Sequence, residues 1–275
     1  MAPTFRLPVT GGKRSSAVKT WKEQIVPEHP CWHGYRDLLD RLPDGSFPAP
    51  SLLNSLLPAD LVSAGGAPIR FVPAAEIPGV EYERHIGATG EVSTREGSWH
   101  DLFNAMVWAR LPLLKSAMNA LHCRHLDEAQ AGRRGKVRDA LTLLDECGVI
   151  VACRNAGVLT ALLARDWHTA FITCRDSWRS DIQVLVCGHA IHEKFQDPYK
   201  TKTAHAVNLH VSEAMTPAAM DDQLASVLRE GQRLQAPRDL SPLPLMGIPG
   251  WWTGGEQDEA FYADPSVFRP PRPSA

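Results

Sequence analysis

His100, Asp139, Asp145, Glu146, His189, His192 and Glu193 are the side chains of this 275-residue chain whose types could do chemistry together. Imidazoles with carboxylates suit a divalent zinc, manganese or iron ion. The same groups supply a general base for metal-assisted hydrolysis, with a phosphoester as one possible substrate. His189 and Glu193 are four apart, so on a helix they share a face as paired ligands do. Asp145 and Glu146 run into Cys147-Gly148, a hairpin-turn signature that would present both carboxylates toward a cleft. This reading gives His100, Asp139, Asp145 and Glu146 a catalytic role and makes His189, Glu193 and His100 the ligands of a divalent metal. No HExxH spacing accompanies them. The competing reading is a non-catalytic binding or interaction protein, in which both histidines are satisfied core residues and Glu193 is solvated.

The element that must position His100 is the clearest in the chain. Ser98 and Asp101 have capping-box spacing, with Asp101 placed to reach back to the Ser98 amide. The helix that follows carries Trp99, Leu102, Phe103, Met106, Val107 and Trp108 nearly all round, and such a helix is buried. At about 100° per residue His100 and Asn104 share one face. Asn104 is therefore expected to orient a histidine. The helix should break before Pro112, which suits the first position of the next one.

Elsewhere, Ile69–Val72 and Val80–His85 read as short strands, and Asp139–Asp145 and Val149–Cys153 as the arms of the hairpin. Asn155 caps a helix, and Ile182–Cys187 is a buried strand that Gly188 turns into a helix from His189. Residues 206–211 alternate as a half-buried strand, and Thr216-Pro217 open a helix that stops at Gly231. Helices and strands interleave without βαβ regularity. The expected fold is α+β: one mixed domain over residues 23–270, with a central hairpin or small sheet packed by helices. An extended, Pro- and Trp-rich tail closes it, pinned to the domain by Trp251 and Trp252. Residues 1–22 (basic, broken by Pro and Gly) and 271–275 are expected to be disordered.

A chain that is 44% apolar and 22% charged is globular. Its net charge of -2 gives no electrostatic case for nucleic acid or an anionic membrane. No apolar run is long enough to span a bilayer, and the opening holds no secretory signal. The six cysteines lack framework spacing and read as free thiols of a cytoplasmic protein. Cys187 at a strand–turn–helix corner resembles a nucleophile elbow, although a buried strand thiol is the simpler reading. The basic stretch 131–138 could meet phosphates, though such loops are commonly just solvated. Oligomeric state and substrate are not encoded in any of these patterns.

Several blocks together resemble the uncharacterised bacterial family known as domain of unknown function 3025. They are Pro68–Pro73, the SWHDLFNAMVW run, Arg138–Glu146, Gly188–Lys194 and Gly247–Trp252, followed by Phe261-Tyr262 and Val267–Arg269. The resemblance implies one integrated domain of bacterial origin. It implies no activity, cofactor or fold.

Overall fold

The fold comes from a computed structural model that describes residues 20–77, 79, 81–127, 135–231 and 233–270. Residues 1–19 and 271–275, expected to be disordered, and residues 131–134 of the basic stretch lie outside the described residues. Residues 20–22 of the opening stretch, also expected to be disordered, are ordered, with Trp21 buried and its indole N–H donating to the Pro43 carbonyl. The molecule is a mixed α+β domain around a four-stranded sheet. Strand β3 (Gly148–Cys153) is the run GVIVAC, buried along its whole length. Such a β-branched stretch fits a strand covered on both faces. It pairs antiparallel with β4 (Ile182–Val186) and parallel with β5 (Thr203–His210), and β6 (Ser241–Pro244) adds antiparallel to β5. The order is β4-β3-β5-β6. A separate parallel pair joins β1 (Arg70–Pro73) to β2 (Glu91–Thr94) through helix α3 (Tyr82–Thr89).

Of the expected strand Val80–His85, Val80 lies outside the described residues and Tyr82–His85 are helical. The Glu81 carboxylate caps α3 by accepting from the Arg84 amide, and Gly90, at φ 74°, ends it in the left-handed conformation. The second correction matters more for function. Residues 139–145 belong to α6 (Lys136–Cys147), which runs directly into β3, so no hairpin turn carries Asp145 and Glu146. Val137, Ala140, Leu141 and Leu144 recur at helical spacing, and the last three are fully buried.

Short helices α1 (Arg36–Arg41) and α2 (Pro50–Asn54) cover one side of α4 (Trp99–Arg110). The Ser98 hydroxyl caps α4 from the Asp101 amide as expected, and residues 101–108 are all buried. Asp101 does not close the capping box. Its carboxylate accepts from the Arg95 amide and guanidinium instead. Helix α5 (Pro112–Asp127) packs on α10 (Pro217–Arg229), and Asp221 of α10 accepts from the amides of Leu113 and Leu114 at the start of α5. Helices α7 (Ala156–Ala164), capped by Asn155, and α8 (Ser177–Ser180) lead from β3 to β4, and α9 (His189–Lys194) follows β4. The tail is not the extended segment expected: besides β6 it forms single-turn helices at Pro237–Asp239 and Leu245–Gly247 and the short helix α11 (Glu259–Tyr262). Trp251 is buried beside His29, whose Nε2 lies 2.8 Å from the Trp251 carbonyl. Phe268 and Tyr262 pack on Phe171.

Candidate functional site

Three helix ends meet at one point. His100 stands in the first turn of α4, Glu146 in the last turn of α6, and His189 is the first residue of α9. Backbone contact between α6 and α9 sets the closeness. The amides of Cys187 and Gly188 both donate to the Gly148 carbonyl. A Cβ at position 188 would run into the backbone nitrogens of Gly148 and Cys147, so only glycine allows the approach. Nε2 of His189 lies 2.8 Å from Nε2 of His100 and 3.6 Å from Oε2 of Glu146. The three ligand atoms all fall within 4.8 Å of one another.

Carboxylates stand behind both rings. Nδ1 of His100 is 3.3 Å from Oε2 of Glu193, and Nδ1 of His189 is 3.8 Å from Oδ1 of Asp145. Glu193 favours the proton on Nδ1 of His100, which turns that ring's Nε2 lone pair toward His189, whereas Nδ1 of His189 is buried without a hydrogen-bond partner and meets Asp145 only as a nearby charge. His189 is buried, and that burial lowers its pKa to about 4 against the opposing pull of Asp145. The ring is thus neutral at pH 7, as a ligand must be. Burial lifts the Glu146 carboxyl above its ordinary value, with the Asp145 charge adding and the His100 ring opposing. For Asp145 burial also pushes upward, but the Lys115 ammonium and His189 outweigh it and hold the group low.

A cleft of about 580 Å³ opens over these groups, lined by the site residues together with Glu81, Glu83, Ser93, Arg95 and Arg138. Lys115 sits beneath it, 6% exposed, with its ammonium on Asp145, 2.9 Å from Oδ1 of Asn104 and 5.3 Å from the Trp108 ring centroid. Reading the sequence for catalytic types passed over Lys115. A signal was present: Lys115, Asn119 and His122 form a polar stripe at i, i+4 and i+7 of α5, and all three are buried.

Of the residues read from the sequence as site candidates, His100, Asp145, Glu146 and His189 line the cleft together. Glu193 contacts the far side of His100, on Nδ1, and is not part of the His100–Glu146–His189 cluster. Asp139 is half-buried on α6 and does not line the cleft. Asn104 orients no histidine. Its amide donates to the Tyr82 hydroxyl, and its oxygen accepts from Lys115. His192 is fully buried, stacked on Trp32, with neither ring nitrogen hydrogen-bonded. Cys187 is no nucleophile: burial, with the Asp145 charge adding, pushes its thiol far above the usual range.

No helix among the described residues is long and apolar enough to cross a membrane. No match was found among curated proteins or among solved structures. Residues 69–272 match the family described as protein of unknown function (DUF3025). That match takes in α4, α6 and α9 and every residue of the cluster. The chain belongs to the DUF3025 family.

Proposed function

We propose that His100, Glu146 and His189 hold a divalent metal ion and that the protein is a metal-assisted hydrolase. The observation that carries this reading is the convergence of two Nε2 atoms and a carboxylate on one point, with Glu193 on the other nitrogen of His100 and the Asp145 charge near that of His189. Without a cation, facing lone pairs repel unless one ring moves its proton. The spacing suits an ion: with bonds of about 2.0–2.1 Å, two nitrogens on a tetrahedral centre stand about 3.3 Å apart. The rings at 2.8 Å need open by only about half an ångström. An ion here would polarise a substrate oxygen and acidify water. Glu193 favours the Nδ1–H tautomer of His100, and Lys115 keeps Asp145 charged near Nδ1 of His189. The remaining oxygen of Glu146, whose carboxyl burial makes more basic than usual, would accept a proton from the attacking water.

The test is metal analysis of the purified protein by inductively coupled plasma mass spectrometry, followed by zinc and manganese titration. A stoichiometric ion in the wild type, lost in His189→Ala together with any chelator-sensitive phosphoesterase activity, is expected. A wild type that takes up neither ion under micromolar supply overturns the reading.

A further inference from the structure

Of the two arginines that line the cleft, one has no hydrogen-bonded counterion. Arg95 is held by Asp101 through its amide and two guanidinium nitrogens. Arg138, from the first turn of α6, also lines the cleft, but its nearest carboxylate, Glu81, stands at 3.8 Å and is itself partly exposed. That separation is an ion pair without a hydrogen bond. The Arg138 side chain is only 18% exposed, and its Nε is fully buried with no hydrogen-bond partner. A buried charged donor left unpaired is costly, and a guanidinium offers a fork matched to the paired oxygens of a carboxylate or phosphate.

Arg138 and Glu146 lie on the same helix eight residues apart, a rise of about 12 Å along its axis. Arg138 and the cluster's Glu146 line one cleft from backbone positions about 12 Å apart along α6. The cleft's volume of about 580 Å³ accommodates a small organic molecule spanning both. We propose that Arg138 anchors an oxyanion of the substrate, carboxylate or phosphate, while the bond to be cleaved lies at His100, Glu146 and His189. This rests on the hydrolase reading and adds the substrate class: a small molecule with an anionic group remote from its scissile bond. The cleft is rich in carboxylates (Glu81, Glu83, Asp101, Asp145 and Glu146), so a divalent ion at the cluster would offset their repulsion and strengthen anion binding at Arg138. By linkage the anion strengthens metal binding by the same factor.

The test is calorimetric titration of the full chain with inorganic phosphate and, in a second arm, glutarate, each in the metal-free and zinc-loaded states. Arg138→Gln is expected to weaken whichever anion binds by roughly 10- to 100-fold. Arg138→Lys, which keeps the charge but not the fork, should fall between, and zinc affinity measured without anion should be unchanged in both. The arm that shows the loss names the oxyanion. Circular dichroism checks that each variant is folded. Anion binding that is absent from the wild type in both states, or equal in wild type and Arg138→Gln, overturns the proposal. Failure of zinc to bind the wild type overturns the metal reading alone, because the metal-free titrations still decide the role of Arg138.

Discussion

Glu193 and Lys115 show how single residues can serve the cluster without joining it. Glu193 is close to half exposed, so its value lies in orienting His100 rather than in stability. Glu193→Gln should lower zinc affinity by roughly 10- to 100-fold and leave stability within about 0.5 kcal/mol. Equal zinc affinity in variant and wild type would show that Glu193 does not orient the ring. Lys115 is the opposite case, a buried ammonium whose loss leaves the largely buried Asp145 carboxylate at the cleft wall without its cation. Lys115→Met should therefore cost about 3–5 kcal/mol in urea unfolding. Adding Asp145→Asn, which removes the stranded charge, should recover part of that loss. A cost under about 1 kcal/mol for the single variant would mean the pair is not the buried unit described above. The two residues also differ in legibility. Glu193 stood out because it follows His189 at helical spacing, whereas Lys115 resembled any solvated lysine until the partners of its ammonium were known.

At the scale of elements, what decides the site is how helix ends are joined. Gly188→Ala would force α9 away from the end of α6, since the new methyl meets backbone rather than a side chain that can move. A loss of roughly 1–3 kcal/mol is expected, with weakened zinc binding because His189 follows directly. A variant of wild-type stability and zinc affinity would show that the junction yields freely. Helix α5 depends on its neighbour in another way. It starts at Pro112 with no polar residue at Leu111 to cap it, and Asp221, more than a hundred residues away, supplies the acceptor for two amides. Burial raises the Asp221 carboxyl to about 6, against the pull of those amides, so it is charged at neutral pH. Asp221→Ala should destabilise by about 1–3 kcal/mol, and native-state hydrogen exchange should show the loss first at Leu113 and Leu114. Uniform protection of α5 in the variant would contradict this. The sequence foretold the start of α4, where Ser98 is its own cap. It was silent about the cap of α5, because that acceptor arrives through tertiary packing.

Across the whole molecule, buried histidines couple folding to pH. Burial lowers the pKa of His192 to about 3 and of His189 to about 4, and shifts His29 and His205 in the same direction. For each, the unfolded chain titrates near 6.5 and binds more protons than the folded one below that value, so stability is full above it and falls as the pH drops toward the folded pKa. Asp101 and Asp145, held low in the fold, lose their contribution on further acidification, whereas Asp221, raised to about 6, and Glu83 and Glu146, also raised by burial, oppose the trend. Chemical denaturation between pH 7 and pH 4 should show a net loss of a few kcal/mol. His192→Phe, which keeps the ring stacked on Trp32, should flatten part of that slope. An unchanged slope would mean that His192 takes up its proton without unfolding.

Sequence alone determined whatever neighbouring residues decide among themselves. The Ser98 and Asn155 caps, the proline openings of α5 and α10, the buried strands β3 and β4 and the apolar girth of α4 all rest on contacts within a few positions. It also brought His100, Asp145, Glu146, His189 and Glu193 forward as candidates, since their types and spacing are local facts. Residues 139–145 mark where that information ran out. Alternation and helical spacing fit the same seven letters, and helix won because Val137, Ala140, Leu141 and Leu144 could be buried together. Only the tertiary structure decided that His100 and His189, 89 positions apart, turn their Nε2 atoms on each other. It likewise put Glu193 behind His100 instead of beside it, and left the Arg138 guanidinium facing the cleft without a hydrogen-bonded carboxylate. Each of these follows from how close two helix axes come and which faces they turn together, and that geometry is set by packing over the whole core.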